Sequence, residues 1–135
     1  MFEIEKELLK NIIGKLWALP TTIIFGITAG ILGMCLAPRK IRIRIKHNAI
    51  CFYNHPFMRG NAIAVTLGNV ILFQKDTDYF AGLNIAEHEK QHTFQAEVLG
   101  PLYIPLHVYY LLKYRKQPLN NPLERGPNSN PPRLW

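Results

Sequence analysis

The sequence predicts an α+β protein: an N-terminal hydrophobic helix or hairpin, then short antiparallel strands, then two helices. Three observations predict it. From Trp17 to Ala37 the chain carries no charged residue. Between residues 41 and 73, apolar residues alternate with polar ones or form short blocks parted by turn residues. From about Leu83 the spacing turns helical, is interrupted by Gly100-Pro101, and continues to Lys116.

Residues 1–38 form the first unit. Phe2, Ile4, Leu8, Leu9, Ile12, Ile13 and Leu16 recur at helical spacing among Glu3, Glu5, Lys6, Glu7 and Lys10, so residues 1–16 read as an amphipathic helix. The uncharged run that follows meets the length of about 20 residues that a membrane span requires. Pro20 suits the first turn of a helix beginning near Trp17. Gly26 and Gly30 form a small-xxx-small pair that permits close approach of another helix, and so a homo-oligomer. Arg39, Lys40, Arg42, Arg44 and Lys46 come directly after, and such a cluster favours a cytoplasmic position for the C-terminal side. The expected location is therefore the inner, cytoplasmic membrane, with lipids as partners.

Residues 39–116 form the α+β unit. Ile41, Ile43 and Ile45 alternate with Arg42, Arg44 and Lys46, which predicts a half-buried strand with a basic face. The blocks 62–67 and 70–73, parted by Gly68-Asn69, predict a hairpin. His47 and His55 lie in turn or strand-edge contexts, where solvated or structural roles are expected. Residues 117–135 hold five of the ten prolines and read as an extended tail or a strap over the surface.

Composition bounds the function. A chain of 135 residues excludes a large multidomain enzyme. With 48% hydrophobic and 19% charged residues, a charge-solvated disordered chain is excluded too. A net charge of +7 favours an anionic partner surface. No nucleic-acid motif is present and the basic stretch alternates like a strand, so nucleic acid is not an expected partner. Cys35 and Cys51 cannot build a disulfide framework and read as buried free thiols.

One motif carries chemistry. His88-Glu89-Lys90-Gln91-His92 is an H-E-x-x-H pattern. On a helix, His88 and His92 lie one turn apart on one face and can share a zinc ion. Glu89 is placed to take a proton from a metal-activated water. Gln95 shares the metal face and can hydrogen-bond a ligand, whereas Glu97 points away from His88. A catalytic zinc needs three protein ligands and an open position. The candidates for the third are Glu124 and His107.

The stretch from His88 to Gln95, followed by Leu99-Gly100-Pro101-Leu102-Tyr103, resembles a group of small bacterial proteins of the zincin type. In these, an H-E-x-x-H helix runs into an L-G-P-L-Y turn. Gly60-Asn61-Ala62 and Leu67-Gly68-Asn69 are also similar, and the resemblance covers roughly residues 60–105. It implies a minimal zincin-like domain, a zinc metallopeptidase beside a membrane segment. In glutamate-type zincins the third ligand comes from a later segment, which favours Glu124. The expected reaction is hydrolysis of a peptide or protein through a zinc-activated water, with Glu89 as general base and His107, Tyr103 or Tyr110 as donor to the oxyanion. The alternative is a non-catalytic, membrane-anchored protein whose metal site is structural or degenerate and which binds a partner. Lys90 inside the motif and the small size favour that alternative.

Overall fold

The computed structural model describes residues 2–135. The N-terminal segment is one unbroken helical rod of 35 residues, Phe2–Leu36. It comprises α1 (Phe2–Thr21), a π-helical stretch (Thr22–Ile27) and α2 (Thr28–Leu36). Pro20 therefore sits inside a continuous helix rather than at the start of one. Proline has no N–H for the ladder, and the wider π turns begin two residues later. There Thr22 and Thr28 donate their hydroxyls to the carbonyls of Ala18 and Ile23.

A four-stranded sheet follows, in the order β1-β2-β4-β3: β1 (Arg42–Lys46), β2 (Ala49–Tyr53), β3 (Ala64–Thr66) and β4 (Val70–Phe73). β1 and β2 form an antiparallel hairpin through His47-Asn48, both at positive φ. This is the two-residue turn that matches strand twist. β3 and β4 form the hairpin expected at Gly68-Asn69. The pairing of β2 with β4 is parallel, so the sheet is mixed rather than wholly antiparallel. A short ribbon of β5 (Tyr79–Phe80) and β6 (Leu83–Asn84) leads into α3 (Ile85–Leu99). A 3-10 turn, Gly100–Leu102, links α3 to α4 (Tyr103–Lys113).

The sheet is a middle layer. Cys51, Tyr53, Ile71 and Phe73 on one face pack with Ile85 and Ala86 of α3. Phe52, Val70 and Leu72 on the other face pack with Ile27 and Ala29 of the rod. A third cluster, Ala18, Ala96 and Tyr103, joins the rod to the two helices directly. The rod's glycines are the docking points. Gly26 lies under Val70 and the Leu67 carbonyl, and Gly30 lies under the Phe52 ring. The small-xxx-small pair thus receives the chain's own sheet instead of another helix. At Gly33 the neighbour is His55, buried, whose Nε2 donates to the Ala29 carbonyl at 2.8 Å. Its Nδ1 accepts from the Phe57 N–H, which fixes that tautomer.

Two expectations fail at the surface. β1 is exposed on both faces, because it is an edge strand and no helix lies over it. Its cations instead reach neighbouring side chains: Arg42 and Arg44 pair with Asp76, and Lys46 with Asp78. Of the two thiols only Cys51 is buried; Cys35 is exposed near the end of the rod. Burial pushes the Cys51 thiol up to about 11.

The close approach at Gly30 gives a direct test. Gly30→Val would drive a branched side chain into the Phe52 ring. The expected loss is about 2–3 kcal/mol, the upper range for overpacking, read from thermal unfolding in detergent. A substitution to Val at exposed Ile31 should leave the melting temperature nearly unchanged.

Candidate metal centre

α3 begins where Asn84 accepts the Glu87 N–H at its side chain, a standard N-cap. It ends at Gly100, whose φ of 58° suits glycine and whose face is closed by Trp17. The rod satisfies the helix's last carbonyls: Trp17 Nε1 donates to Val98 and Thr21 Oγ1 to Gly100. α3 is therefore pinned at both ends. Glu97 faces the rod and pairs with Lys15 at 2.8 Å, away from His88 as helix geometry requires.

Within α3, His88 and His92 bring their Nε2 atoms to 3.2 Å. Glu124 closes the triangle, with one carboxylate oxygen 3.0 Å from His88 Nε2 and the other 3.2 Å from His92 Nε2. Among the described residues this is the group able to hold a metal ion; His107 does not belong to it. Glu124 sits on α5 (Pro122–Arg125), a single turn within residues 117–135. Asn121 caps that turn by accepting the Leu123 N–H, and Leu123 is buried. The proline-rich stretch is thus a strap that folds back across α3 and brings Glu124 to the two histidines.

Gln95 connects these parts. It is fully buried. Its amide nitrogen donates to the carbonyls of Leu123 and Leu134, each at 2.8 Å. Its oxygen therefore accepts from His92 Nδ1, also at 2.8 Å. The proton on Nδ1 leaves the Nε2 lone pair aimed at His88 and Glu124.

The donor set fits a tetrahedral cation. At a metal–ligand distance of about 2.0–2.1 Å, ligand atoms stand about 3.3 Å apart, close to the 3.0–3.2 Å found here. Without a metal, the two Nε2 atoms can each donate to one oxygen of the Glu124 carboxylate; a shared cation would take the place of those hydrogens. Charge reflects the same convergence. Burial works to lift the Glu124 carboxyl, but the His88 and His92 hydrogen bonds overcome it and hold it well below the usual carboxylate range. Burial works to lower His92, but the bond to Glu124 and the carboxylates of Glu89 and Glu124 outweigh it and raise it.

Beside the triad lies a cavity of about 60 Å³ bordered by Thr66, Glu89, Tyr103 and His107. Glu89 is buried, and its Oε2 accepts from Thr66 Oγ1 at 2.6 Å. Tyr103 Oη and His107 Nδ1 are both buried without a hydrogen-bond partner. Burial and the adjacent His92 push His107 down, so its imidazole is neutral at pH 7. Burial keeps the Tyr103 hydroxyl protonated far above neutrality. Tyr110 does not line the cavity and lies between the rings of Tyr109 and Tyr114. Thr66 is the residue that sequence reasoning missed; its signal was a lone hydroxyl inside an apolar strand.

An open cleft of about 650 Å³ leads from His88 and Glu89 along β3, bounded by Leu83, Asn128 and Pro132. β3 is an edge strand. The Ile63 carbonyl accepts from Gln74 and the Leu67 N–H donates to Val70, so alternate residues turn their backbone toward β4. Ala64 turns its own toward the open edge.

The paired shifts set a pH window for the metal-free fold. Glu124, held low, contributes stability that is present above 4.5 and lost as pH falls through its folded value. His92, raised, contributes stability that is present below 6.5 and lost as pH rises through its folded value. Chelated protein should therefore be most stable between these values, and a bound metal should stabilise more as pH rises, because ligands must shed protons. Melting temperature against pH, with and without chelator, checks both slopes.

No protein family, curated protein or solved structure matches this chain.

Proposed function

We propose that this chain is a membrane-associated zinc metallopeptidase that hydrolyses peptide bonds with Glu89 as general base. The observation that carries the reading is the position of Glu89. It follows a ligand histidine directly, borders the same small cavity as His92 and Glu124, and is oriented by Thr66. A buried carboxylate beside the donors, held by Thr66 and not among the three, is placed as a general base requires.

Two imidazoles and one carboxylate are a donor set that suits zinc, and three protein ligands leave a position open. Zinc held there supplies a water acidified towards a pKa of about 7 and a Lewis acid for the substrate carbonyl. Thr66 occupies Oε2 of Glu89, so Oε1 is free to take the proton from the attacking water. The same carboxyl then hands that proton to the leaving amine. Tyr103, protonated and unpartnered, is the donor suited to the developing oxyanion. Neutral His107 lies beside it, with ring centroids 5.6 Å apart. The Ala64 backbone offers main-chain bonds to an extended peptide lying in the cleft.

The membrane part of the reading rests on the rod, which is long and apolar enough to cross a bilayer and is mostly not buried by the rest of the chain. Arg39 and Lys40 follow it at once, cations that suit the anionic cytoplasmic leaflet.

Purified protein should carry one zinc per chain, and both His92→Ala and Glu124→Ala should lose it. Glu89→Gln should keep the zinc and lose hydrolysis of a quenched peptide library by about 10²-fold or more. Hydrolysis retained in that variant overturns the mechanism. Zinc retained in Glu124→Ala removes Glu124 from the ligands. One zinc with no hydrolysis by the wild-type chain favours the structural alternative.

A further inference from the structure

The rod restricts how this protein can meet a membrane. Its docked stripe begins at Gly14, which faces Glu97, passes Gly26 and Gly30, and ends at Gly33 against His55. At 1.5 Å per residue that stretch is about 30 Å long, the full thickness of the hydrocarbon core. The part of the rod before it carries Glu3, Glu5, Lys6, Glu7 and Lys10, charges that hydrocarbon does not accept. A crossing rod would therefore carry the folded domain into the hydrocarbon with it.

The strands run along that same stripe. Lys15 meets Asn48 just before β2, Gly30 meets Phe52 within it, and Gly33 meets His55 just after it. β1 pairs with β2 over its whole length, from Arg42 opposite Tyr53 to Lys46 opposite Ala49. In a crossing arrangement Arg42, Arg44 and Lys46 would all stand at bilayer depth. The Arg42 side chain is 66% exposed and the Arg44 side chain 42%. Charged side chains at that depth are costly.

β1 also shows which face is built for lipid. Its cations project to the α3 side, where Arg44 and Lys46 lie over the Tyr53 ring. Ile43 and Ile45 alternate to the other side, opposite Phe52 and Ile50, which is the side of the rod. Among the described residues Ile43 is left 46% exposed and Ile45 85% exposed. The rod itself exposes Ile12, Leu16, Leu19, Ile23, Ile31 and Leu32. The apolar surface is therefore a base, a plane formed by the rod and the flanking strand, with charge on the opposite layer. Arg39 and Lys40 follow it as cations, while at its other end Lys6 and Lys10 pair with Glu3 and Glu7.

We infer that the rod lies in the plane of the membrane, embedding its undocked face together with Ile43 and Ile45 in a single anionic leaflet. Both ends of the rod then lie at the headgroups of that leaflet, where its flanking cations and the chain's net charge of +7 meet anionic lipid. This rests on the membrane association proposed above and is independent of the metal chemistry.

The test uses the full chain with Cys35→Ser and either Lys6→Cys or Arg39→Cys. Buried Cys51 stays as the internal control of folding. A membrane-impermeant maleimide is added to inside-out and to right-side-out bacterial membrane vesicles. Labelling of both positions in the same vesicle orientation is expected. Labelling of the two positions in opposite orientations shows a crossing rod; it overturns the in-plane arrangement and leaves membrane association intact. Protein released from the vesicles by salt overturns the embedding of the apolar face and leaves only a charge contact. A second measurement does not depend on the cysteine variants. Ile45→Asp should weaken flotation with phosphatidylglycerol vesicles about tenfold, the value of one large apolar side chain. Unchanged flotation overturns the contact of the strand with lipid.

Discussion

The buried amide of Gln95 is the constraint on which the candidate centre depends. One oxygen and one NH₂ group join three things that are far apart in sequence: the ring of His92, the turn that bears Glu124, and the end of the strap at Leu134. The amide satisfies two carbonyls that would otherwise be buried or half-buried without donors, each at a cost of about 1–3 kcal/mol. It also selects the histidine tautomer that presents a lone pair. The geometry of the triad is thus set from behind by a group that touches no ligand position itself.

The layers divide the labour. The sheet separates the rod from α3, so the apolar base and the polar centre lie on opposite faces of it. Tyr103 is a direct link between them. Its ring packs with Ala18 of the rod and Ala96 of α3, while its hydroxyl borders the cavity. Thr66 plays the matching part from the sheet, reaching Glu89 from the open edge strand. The position of Glu89 is therefore determined by sheet and helix together, which is a firmer support than a loop provides.

Much of this was legible in the sequence because it is local. Alternation marked the strands, Gly100-Pro101 marked the break between α3 and α4, and the motif spacing put two imidazoles on one face. What was not legible is long-range. Periodicity says which residues of a strand share a face, but not what covers that face, so β1 read as half-buried and is exposed throughout. Gly26 and Gly30 signalled a close approach without saying that a sheet would make it. Spacing left Glu124 and His107 open, since the choice is made by the return of a proline-rich segment across α3. Thr66 was missed for the same reason: its partner lies 23 residues away.

The return of the strap has a consequence for biosynthesis. Two of the three donors, His88 and His92, leave the ribosome well before Glu124 and Leu134. At about 5–20 residues per second, the segment from His92 to Glu124 takes a few seconds to make, and until then the group of His88, His92 and Glu124 is incomplete. A chain cut short before Glu124 would lack one member of the group that could hold a metal ion.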